Sequence, residues 1–462
     1  MTPLWTAPLW TAQHLAIATG GAMAVPFDAT GVSIDTRTLR PGDLFVALAG
    51  ESRDGHDFVA DALARGAAGA LVHHDIAGLP AGAKLLRVDD TLAALHRLGE
   101  FARARFTGRM AAITGSVGKT TTKEMLRRIL STAGPTHAAE ASYNNQWGLP
   151  LTLARLPPEA AFCVAEIGTN HPGEIAPLAR LARPHVALIT AIEKAHVGHF
   201  GSIEAIADEK AALLEGLEPG GTAILPRDTP LLARLVARAR GAKTLTFGTA
   251  LLAEARLLEA ESDADSVSVM ARLSGDVVSL RLAAPGAHMA MNALAALAAA
   301  VALGLPPAAS AAALDGFAPL AGRGARRRIA WPDGEVLLLD ESYNASAVAV
   351  RAALAVLKLQ PADRRVVVLG DMLELGEDGP AEHEGLADAV AETADLLFTC
   401  GPLMRLVFDA APAAIRGAHA ENSAALAPVV ADALRAGDAV LIKGSLGMRM
   451  RAVVDALIQG RG

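Results

Sequence analysis

The sequence predicts an α/β protein with three domains. At 462 residues the chain is too long for one compact core. Two separate series of short apolar strands alternate with helical segments, a pattern typical of parallel sheets covered by helices. Within the first series, a glycine-containing loop of the phosphate-binding type joins a strand to a helix. We expect the domains to cover residues 1–88, 89–320 and 321–462.

The composition is that of a folded protein that does not bind nucleic acid. Hydrophobic residues make up 52% of the chain and charged residues 20%, which excludes wholesale disorder. The formal net charge is -7, whereas a nucleic-acid surface needs clustered basic residues. The densest basic run, 326–328, contains no aromatic residue and is interpreted as a solvated loop.

Cysteine usage and hydropathy indicate the compartment. Cys163 and Cys400 are far apart in apolar surroundings, so they predict neither a disulfide framework nor a structural zinc site. The sequence shows neither a signal-peptide pattern nor an uninterrupted apolar stretch of membrane-spanning length. We therefore expect a cytoplasmic monomer without stable membrane association.

The first domain is predicted to be a small α/β module. Short strands are expected around residues 31–37 and 43–47, followed by a helix near 56–66.

The second domain is predicted to hold a parallel sheet flanked by helices. Its apolar strands are expected at residues 110–114, 162–167, 186–192 and 222–225. The alanine-rich stretch 287–303 predicts a helix packed closely on its neighbours, which ends at Gly304 and Pro306.

The third domain is predicted to be Rossmann-like. Its strands are expected at residues 336–340, 365–370, 396–400 and 439–443. In such sheets, ligands bind at the carboxyl ends of the strands. Because Asp340, Asp371 and Lys443 lie at those ends, we expect them to face one crevice.

The loop at 114–120 carries the residue types that bind a phosphate chain. Gly115 and Gly118 let backbone N–H groups turn toward an anion, Lys119 supplies a cation, and the Thr120 hydroxyl can bind magnesium. A helix is expected to begin near Thr121. The strict phosphate-loop pattern has glycine where this chain has Ile113, so the loop is a variant, and a turn that binds no nucleotide remains an alternative.

Two further segments carry candidate metal ligands. Glu166 ends an apolar strand, and either His196 or His199 follows another, whereas Lys210 lies on a predicted charged helix. Taken singly, a carboxylate facing water, a structural histidine and a solvated charged helix face are the stronger interpretations.

Taken together, these segments resemble the Mur ligase family over nearly the whole chain. The loop Thr114-Gly-Ser-Val-Gly-Lys-Thr120 is similar to the family's own form, which accounts for Ile113. Asn144-Asn-Gln-Trp-Gly-Leu-Pro150 and Glu166-Ile-Gly-Thr-Asn170 resemble family segments, the second of which binds magnesium. His196 aligns with a family histidine that serves a second magnesium ion.

The resemblance implies an ATP-dependent ligase that activates a carboxylate as an acyl phosphate and joins it to an amine. It implies two magnesium ions held by Thr120, Glu166, His196 and Lys210, with Lys210 carbamylated by carbon dioxide. Lys119, His196 and Lys210 would be catalytic. Many relatives have Lys-Gly-Glu where this chain has Lys210-Ala-Ala212, so the role of that glutamate is unfilled. The implied ATP contacts are Gly115, Ser116, Val117, Gly118, Lys119, Thr120, Thr121, Asn292, Arg323 and Asp340.

Other segments resemble the family's substrate-binding regions. Ser33, Asp35 and Arg37, with the nearby Asp54-Gly-His56, resemble the region that binds a uridine diphosphate sugar. The segments 370–376 and 443–445, with Met450, resemble the family member that acts last in its series. UDP-N-acetylmuramoyl-tripeptide and D-alanyl-D-alanine are therefore the implied partners. The remaining implied substrate contacts are Asn144, Asn145, Tyr343, Asn344, Lys443 and Ser445.

Two rival interpretations remain at this point. Folylpolyglutamate synthase and other Mur ligases share the logic of the central domain, although the third-domain segments argue against them. A nucleotide switch that hydrolyses ATP without forming a covalent product belongs to a different class. For the ligase, we expect hinges near residues 88–90 and 320–323, because an acyl phosphate must be closed off from water.

Overall fold

The computed structural model describes residues 8–50, 53–139, 142–194 and 197–459, and within these ranges the strands form three sheets. Helices cover each sheet, so the predicted α/β class with three sheet-centred domains is confirmed. In the described ranges, no helix has the length and apolar character needed to cross a membrane.

The N-terminal sheet has the strand order β1-β5-β4-β3-β2, in which only β1 runs antiparallel to its neighbour across the described residues. Its strands are β1 (Ala22–Met23), β2 (Gly31–Ser33), β3 (Asp43–Val46), β4 (Gly69–Val72) and β5 (Leu85–Arg87). The helices here are α1 (Ala12–Thr19) and α2 (Val59–Ala64), and a 3₁₀ turn covers Gly55–Phe58.

The central sheet begins as a parallel sheet and ends as an antiparallel meander. Its order is β14-β13-β12-β11-β10-β9-β6-β8-β7. The strands are β6 (Arg109–Thr114), β7 (Thr136–Ala138), β8 (Phe162–Glu166), β9 (Val186–Ile189), β10 (Thr222–Pro226), β11 (Lys243–Gly248), β12 (Ala255–Ser262), β13 (Val267–Leu273) and β14 (Asp276–Leu282). Its helices are α3 (Thr91–Arg105), α4 (Lys119–Leu130), α5 (Gly148–Ala154), α6 (Ile175–Ala182), α7 (Val197–Phe200), α8 (Ile203–Ala211), α9 (Leu232–Arg238), α10 (Ala287–Ala302) and α11 (Pro307–Leu314).

The alanine-rich helix α10 is packed as closely as its composition predicts. Residues 293–300 are all buried, against α4 on one side and the meander on the other. Side chains as small as alanine let the helix approach its neighbours closely. This packing fixes the first turn of α10 beside the first turn of α4.

Helix α3 connects the N-terminal and central cores. Leu95 and Leu98 belong to the same buried cluster as Trp10 and Leu44 of the N-terminal region. The Trp10 indole N–H donates to the carbonyl of Ala154 at 2.8 Å, which anchors the start of the described chain to α5. The boundary expected at 88–89 therefore falls just before a helix that packs on both sides.

The C-terminal sheet has the order β15-β16-β20-β17-β18-β19, with β15 antiparallel to β16 and the other neighbours parallel. Its strands are β15 (Ala325–Trp331), β16 (Gly334–Glu341), β17 (Arg364–Gly370), β18 (Leu396–Cys400), β19 (Arg416–Ala420) and β20 (Asp438–Lys443). The helices are α12 (Ala347–Lys358), α13 (Gly379–Glu384), α14 (Ala387–Ala391), α15 (Met404–Ala410), α16 (Ser423–Ala433) and α17 (Arg451–Gln459).

Candidate active site

The phosphate loop joins β6 to α4, and two of its glycines are required by their surroundings. Gly115 has φ 146° and Gly118 has φ 83°. A Cβ atom at Gly115 would collide with the Thr190 hydroxyl, and one at Gly118 with the Asn292 amide oxygen. Helix α4 begins at Lys119 rather than near Thr121, because Gly118 already occupies the N-cap position. The helix N-terminus therefore points its free N–H groups at the space above the loop.

Lys119 lies over the loop with its ammonium group open to the cavity. Its Nζ donates to the carbonyl of Gly115 at 2.7 Å. Burial lowers the pKa of Lys119, the carboxylate of Glu166 opposes that effect, and the charge of Arg323 adds to it. Among the described residues its amine donates to the loop carbonyls of Gly115 and Ser116, so an anionic phosphate would be a suitable further partner.

Thr120 and Glu166 bring two oxygen atoms together beneath the loop. The Thr120 hydroxyl donates to Glu166 Oε2 at 2.8 Å, and Asn144 Nδ2 donates to Glu166 Oε1 at 2.8 Å. Glu166 is buried at the carboxyl end of β8. The expectation of a strand-end carboxylate facing water therefore does not hold, since both carboxylate oxygens face polar side chains of the site.

Lys210 is a buried amine in the last turn of α8. Burial, and then the positive charge of Lys119, lower its pKa to about 7, although Glu209 and Glu174 oppose the shift. Glu209 itself accepts the backbone N–H groups of Gly173 and Ile175 at 2.7 and 2.9 Å, which fixes it to the start of α6. His196, the other expected ligand, lies outside the described residues.

Asn292 and His288 lie in the first two turns of α10. Asn292 faces the phosphate loop, and His288 faces the C-terminal domain. Asn292 Oδ1 is within 3.4 Å of the Thr122 hydroxyl. Burial lowers the pKa of His288, with Glu341 raising it and Lys443 lowering it. Both residues line the cavity described below.

Arg323 links the central and C-terminal domains. Its Nη2 donates to the Ser142 hydroxyl at 2.8 Å, and its guanidinium carbon lies 3.9 Å from the centre of the Tyr343 ring. The planar guanidinium is thus held between a hydroxyl of one domain and an aromatic face of the other. Ser142 was not expected from the sequence, because an isolated serine carries no motif.

The strand ends of the C-terminal sheet contribute Lys443 rather than Asp340 to the cavity. Lys443 Nζ donates to Glu341 Oε2 at 3.2 Å and to the carbonyl of Asn344 at 2.9 Å. Asp340 accepts the Gly322 N–H at 3.0 Å and the Ser342 hydroxyl at 2.6 Å, and it is not among the described residues that line the cavity. Asp340 therefore holds the segment next to the expected hinge. Glu341, which the sequence analysis did not single out, takes the position in the cavity because successive strand residues face opposite sides.

One cavity of about 490 Å³ collects most of these residues. One wall of the cavity comes from the central domain and the other from the C-terminal domain. The two domains also contact each other where the Gly198 N–H donates to the carbonyl of Glu374 at 3.1 Å. The expected site residues that line it are Ser116, Val117, Gly118, Lys119, Thr120, Thr121, Asn144, Glu166, Asn292, Arg323, Tyr343, Asn344, Lys443 and Ser445.

The remaining expected residues lie elsewhere in the described structure. Arg37 donates three side-chain hydrogen bonds to Asp35, which lower the pKa of Asp35, and the Ser33 hydroxyl donates to the carbonyl of Asp35 at 3.0 Å. Asn145 Oδ1 accepts the N–H of Gly148 at 3.0 Å, so its side chain caps α5. Lys210 is buried behind the cavity wall near Lys119.

Family models match all three parts of the chain. The Mur ligase middle domain matches residues 113–300, and the glutamate ligase domain of Mur ligases matches residues 326–446. The catalytic domain of the Mur ligase family matches residues 28–103.

Relatives are similar over nearly the whole length. A Synechocystis protein named UDP-N-acetylmuramoyl-tripeptide–D-alanyl-D-alanine ligase is 38% identical, with 92% of this chain and 91% of that protein covered. The MurF crystal structure from Acinetobacter baumannii matches with a TM-score of 0.85 at 32% identity, over 98% of this chain and 99% of that one. The MurF ligase of Thermotoga maritima, in complex with ADP, matches with a TM-score of 0.78 at 26% identity, over 93% and 97%. The chain therefore belongs to the Mur ligase family and, within it, to the MurF type.

Proposed function

We propose that this chain is an ATP-dependent ligase that joins D-alanyl-D-alanine to UDP-N-acetylmuramoyl-tripeptide. The products would be the UDP-N-acetylmuramoyl-pentapeptide used for peptidoglycan, ADP and phosphate. The observation that carries the proposal is the cavity in which the phosphate loop faces Arg323, Tyr343 and Lys443. The similarity over nearly the whole chain to ligases of that name supports it.

The phosphate loop and α4 would hold the phosphates of ATP. The free N–H groups of the first turn of α4 lie at the cavity beside Lys119 and Thr120, whereas the Ser116 N–H donates to the carbonyl of Ala191 at 2.9 Å. Asn292, with an amide donor and acceptor near Gly118, would contact the adenine edge. Arg323 would reach the phosphates from the opposite wall. Asp340 would act on the ribose only if the segment that it holds rearranges when ATP binds.

The reaction needs a phosphorylated carboxylate because oxide is a poor leaving group. The tripeptide carboxylate would attack the γ-phosphorus of ATP and release ADP, and the amine of the dipeptide would then attack the acyl carbon and release phosphate. Lys119 and Arg323 would stabilise the charge that shifts onto the phosphate oxygens. Lys119 and Arg323 lie on opposite walls of the cavity. This placement also suits an in-line arrangement of ATP, the phosphoryl donor, and the tripeptide carboxylate, the phosphoryl acceptor.

The residues present fit a magnesium ion. Two cis ligands of an octahedral magnesium ion lie about 3 Å apart, and Thr120 Oγ1 and Glu166 Oε2 are 2.8 Å apart. We propose that these two atoms bind one ion and that Lys210, with His196, serves a second. When bound, the ions would neutralise charge on the phosphates. Asn144 would keep the Glu166 carboxylate oriented through its bond to Oε1.

Lys210 would serve the second ion as a carbamate. Carbamylation requires a neutral amine, and the pKa of Lys210, lowered to about 7, keeps much of the amine neutral near physiological pH. The neutral amine would add to carbon dioxide and lose one proton to solvent, which would place an anionic oxygen ligand near Lys119. In the described residues no hydrogen bond to the Lys210 amine competes with this reaction.

The two substrates would enter from opposite ends of the site. Peptide groups of the substrates would be contacted from the C-terminal side of the cavity by Lys443, Asn344, Tyr343 and Ser445. Asn144 would contact them from the opposite side. Ser33, Asp35 and Arg37 would contact the uridine diphosphate end, and Asn145 would act by holding α5 next to Asn144. The exposed Arg37 has a charge suited to a pyrophosphate, although it now pairs with Asp35.

We also propose the domain limits 1–88, 89–320 and 321–462, with α3 shared between the first two cores. The strands of each sheet fall inside one of these ranges, which supports the division. We propose a cytoplasmic location as well, because ATP is a cytoplasmic substrate. The same proposal takes the chain to be a monomer.

Phosphate release measured with ATP and magnesium tests the function. The nucleotide tripeptide and D-alanyl-D-alanine are added separately and then together. We expect steady release only with both substrates, with one pentapeptide formed per phosphate. Release that is indifferent to both substrates would instead identify a nucleotide switch, and release driven by a folate substrate would identify the folylpolyglutamate class.

A further inference from the structure

Three histidines meet at the edge of the N-terminal sheet, outside the active-site cavity. His56 lies in the 3₁₀ turn that follows β3, and His73 and His74 directly follow β4. We call these residues the histidine cluster. The ring centres are 4.0 Å apart for His56 and His74, 4.2 Å for His56 and His73, and 5.0 Å for His73 and His74. The chain bends at His73 and His74, so these neighbours face the same side instead of alternating as in a strand.

Hydrogen bonds fix which ring nitrogens of the cluster carry lone pairs. Asp54 Oδ1 lies 2.6 Å from His56 Nδ1, so Nδ1 carries the proton in the neutral ring and Nε2 has the lone pair. His74 Nδ1 lies 3.0 Å from the carbonyl of Asp75, which likewise assigns the proton to Nδ1 and the lone pair to Nε2. A carboxylate that holds the far nitrogen of a histidine is the usual support of a metal-binding imidazole.

His73 supplies an unexplained polar atom. Its Nδ1 is buried and has no hydrogen-bond partner in the part of the chain that the structure describes. Buried polar atoms without a partner are rare in folded proteins, and an ion is one of the causes. The His56 ring is buried too. One nitrogen from each of the three rings lies within 4.8 Å of the other two.

We propose that His56, His73 and His74 bind one divalent transition-metal ion of the zinc class. Imidazole nitrogens favour zinc, cobalt, nickel and copper over magnesium. In a tetrahedral zinc site the ligand nitrogens are about 3.4 Å apart, so small side-chain rotations bring the cluster to that spacing. His56 Nε2 accepts a 3.1 Å hydrogen bond from the His73 backbone N–H. When the metal binds, Nε2 gives up this hydrogen bond and binds the ion instead. Asp54 orients His56 and places its second oxygen 3.7 Å from His74 Nε2, next to the remaining position.

The bound ion would tie the turn after β3 to the end of β4. It would therefore stabilise the N-terminal sheet in a way that does not depend on ATP or magnesium.

Zinc titration of the full chain, without a histidine tag and after removal of metals by chelation, tests the proposal. Calorimetry is done with saturating magnesium and no nucleotide, so that the oxygen ligands of the active site are occupied. We expect one zinc ion per chain, with affinity at least 100-fold weaker in His73→Ala and His74→Ala. Cobalt should give the visible absorption of a nitrogen-ligated site, and zinc should raise the unfolding temperature of the wild type but not that of His73→Ala or His74→Ala.

His73→Ala is the sharper variant, because His73 Nδ1 makes no hydrogen bond within the described residues that the fold would lose. Its unfolding temperature without metal should match that of the wild type. His96→Ala, which removes a histidine whose Nε2 lies 2.8 Å from the carbonyl of Gln146, is the control and should bind zinc normally. Equal zinc affinity in the wild type and in His73→Ala and His74→Ala, or no zinc binding by the wild type, would overturn the proposal.

Discussion

The hydroxyl of Thr120 and the carboxylate of Glu166 are joined by a 2.8 Å hydrogen bond across the first turn of α4 and the end of β8. Each residue is positioned by its backbone: Thr120 by the glycine-capped helix and Glu166 by a buried parallel strand. Their two oxygen atoms are already at the spacing that magnesium needs. The arrangement supports the proposal that these two oxygen atoms bind one magnesium ion.

Glu166→Gln should weaken magnesium-dependent turnover. The amide keeps the size of the side chain and can keep the contact with Asn144 through Oε1, but it removes the negative charge that a magnesium ion requires. We expect the magnesium concentration for half-maximal rate to rise by about 100-fold. Turnover measured against magnesium concentration checks this, with the exposed Glu261→Gln as control. An unchanged magnesium requirement would remove Glu166 from the proposed metal site.

Lys119→Ala should abolish turnover while leaving the fold intact. The amine contacts only loop carbonyls in the described residues, so its removal deletes the cation that faces the phosphates and little packing. A loss of at least about 10³-fold in kcat is expected, as for other electrostatic groups at a transferring phosphate. Phosphate release measures it. Lys243→Ala, at the exposed start of β11, should behave as wild type, and activity above a tenth of wild type in Lys119→Ala would contradict the assignment.

Lys210→Ala should be nearly inactive and partly restored by small carboxylates such as acetate, which can replace the carbamate oxygen ligand. Lys210→Met should be inactive yet unfold at the same or a higher temperature. The pKa of the folded-state amine lies below its ordinary value, so the ionised form destabilises the fold at neutral pH and its loss is not harmful. Thermal unfolding and phosphate release, measured together, check both statements. Wild-type activity in Lys210→Ala would exclude the carbamate.

The rate should fall on the acid side of pH 7 at constant dissolved carbon dioxide. Burial and Lys119 lower the pKa of Lys210 to about 7, so the neutral amine that reacts with carbon dioxide is lost as pH falls through that value. We expect kcat to decrease between about pH 8 and pH 6. Lys210→Ala with acetate should lack this limb. The same limb in the rescued variant would assign it to another group.

Arg323→Ala should raise the KM for ATP by about 10- to 100-fold, the usual value of a charged hydrogen bond. Arg323→Lys should restore little, because an ammonium group cannot stack on the Tyr343 ring and bond Ser142 in one plane. Initial rates against ATP concentration test this, with the exposed Arg327→Ala as control. A lysine variant with normal KM would show that only charge matters at this position.

The sequence predicted best what is encoded by contiguous residues. The phosphate loop, a strand ending at Glu166 and the alanine-rich α10 followed from local spacing, whereas the site roles of Glu166 and Asn292 were implied only by the family resemblance; the structure brings Lys119, Glu166 and Asn292 to one cavity. The three-domain α/β fold followed from the two series of apolar strands.

Features that depend on tertiary contacts were not predictable in this way. Ser142 matters because Arg323 reaches it from a segment 181 residues away, and no local pattern marks such a contact. Asp340 was expected to face the nucleotide, but strand alternation directs it to Gly322 and leaves Glu341 in the cavity. The meander β12 to β14 was not predicted, although Val267–Leu273 alternates buried and less buried residues, as antiparallel strands with one solvated face do.

Substituting Gly198 should uncouple ATP hydrolysis from ligation. Gly198 in α7 touches the backbone of Gly376 across the two domains, where an added Cβ would lie 2.6 Å from the Gly376 nitrogen. Backbone atoms cannot move aside as side chains do, so the domains must separate slightly and admit water to the acyl phosphate. We expect Gly198→Ala to reduce amide formation modestly and Gly198→Val by up to about 100-fold, with phosphate release less affected. The ratio of phosphate to pentapeptide measures the uncoupling, and a ratio that stays at one in Gly198→Val would show that this contact does not seal the site.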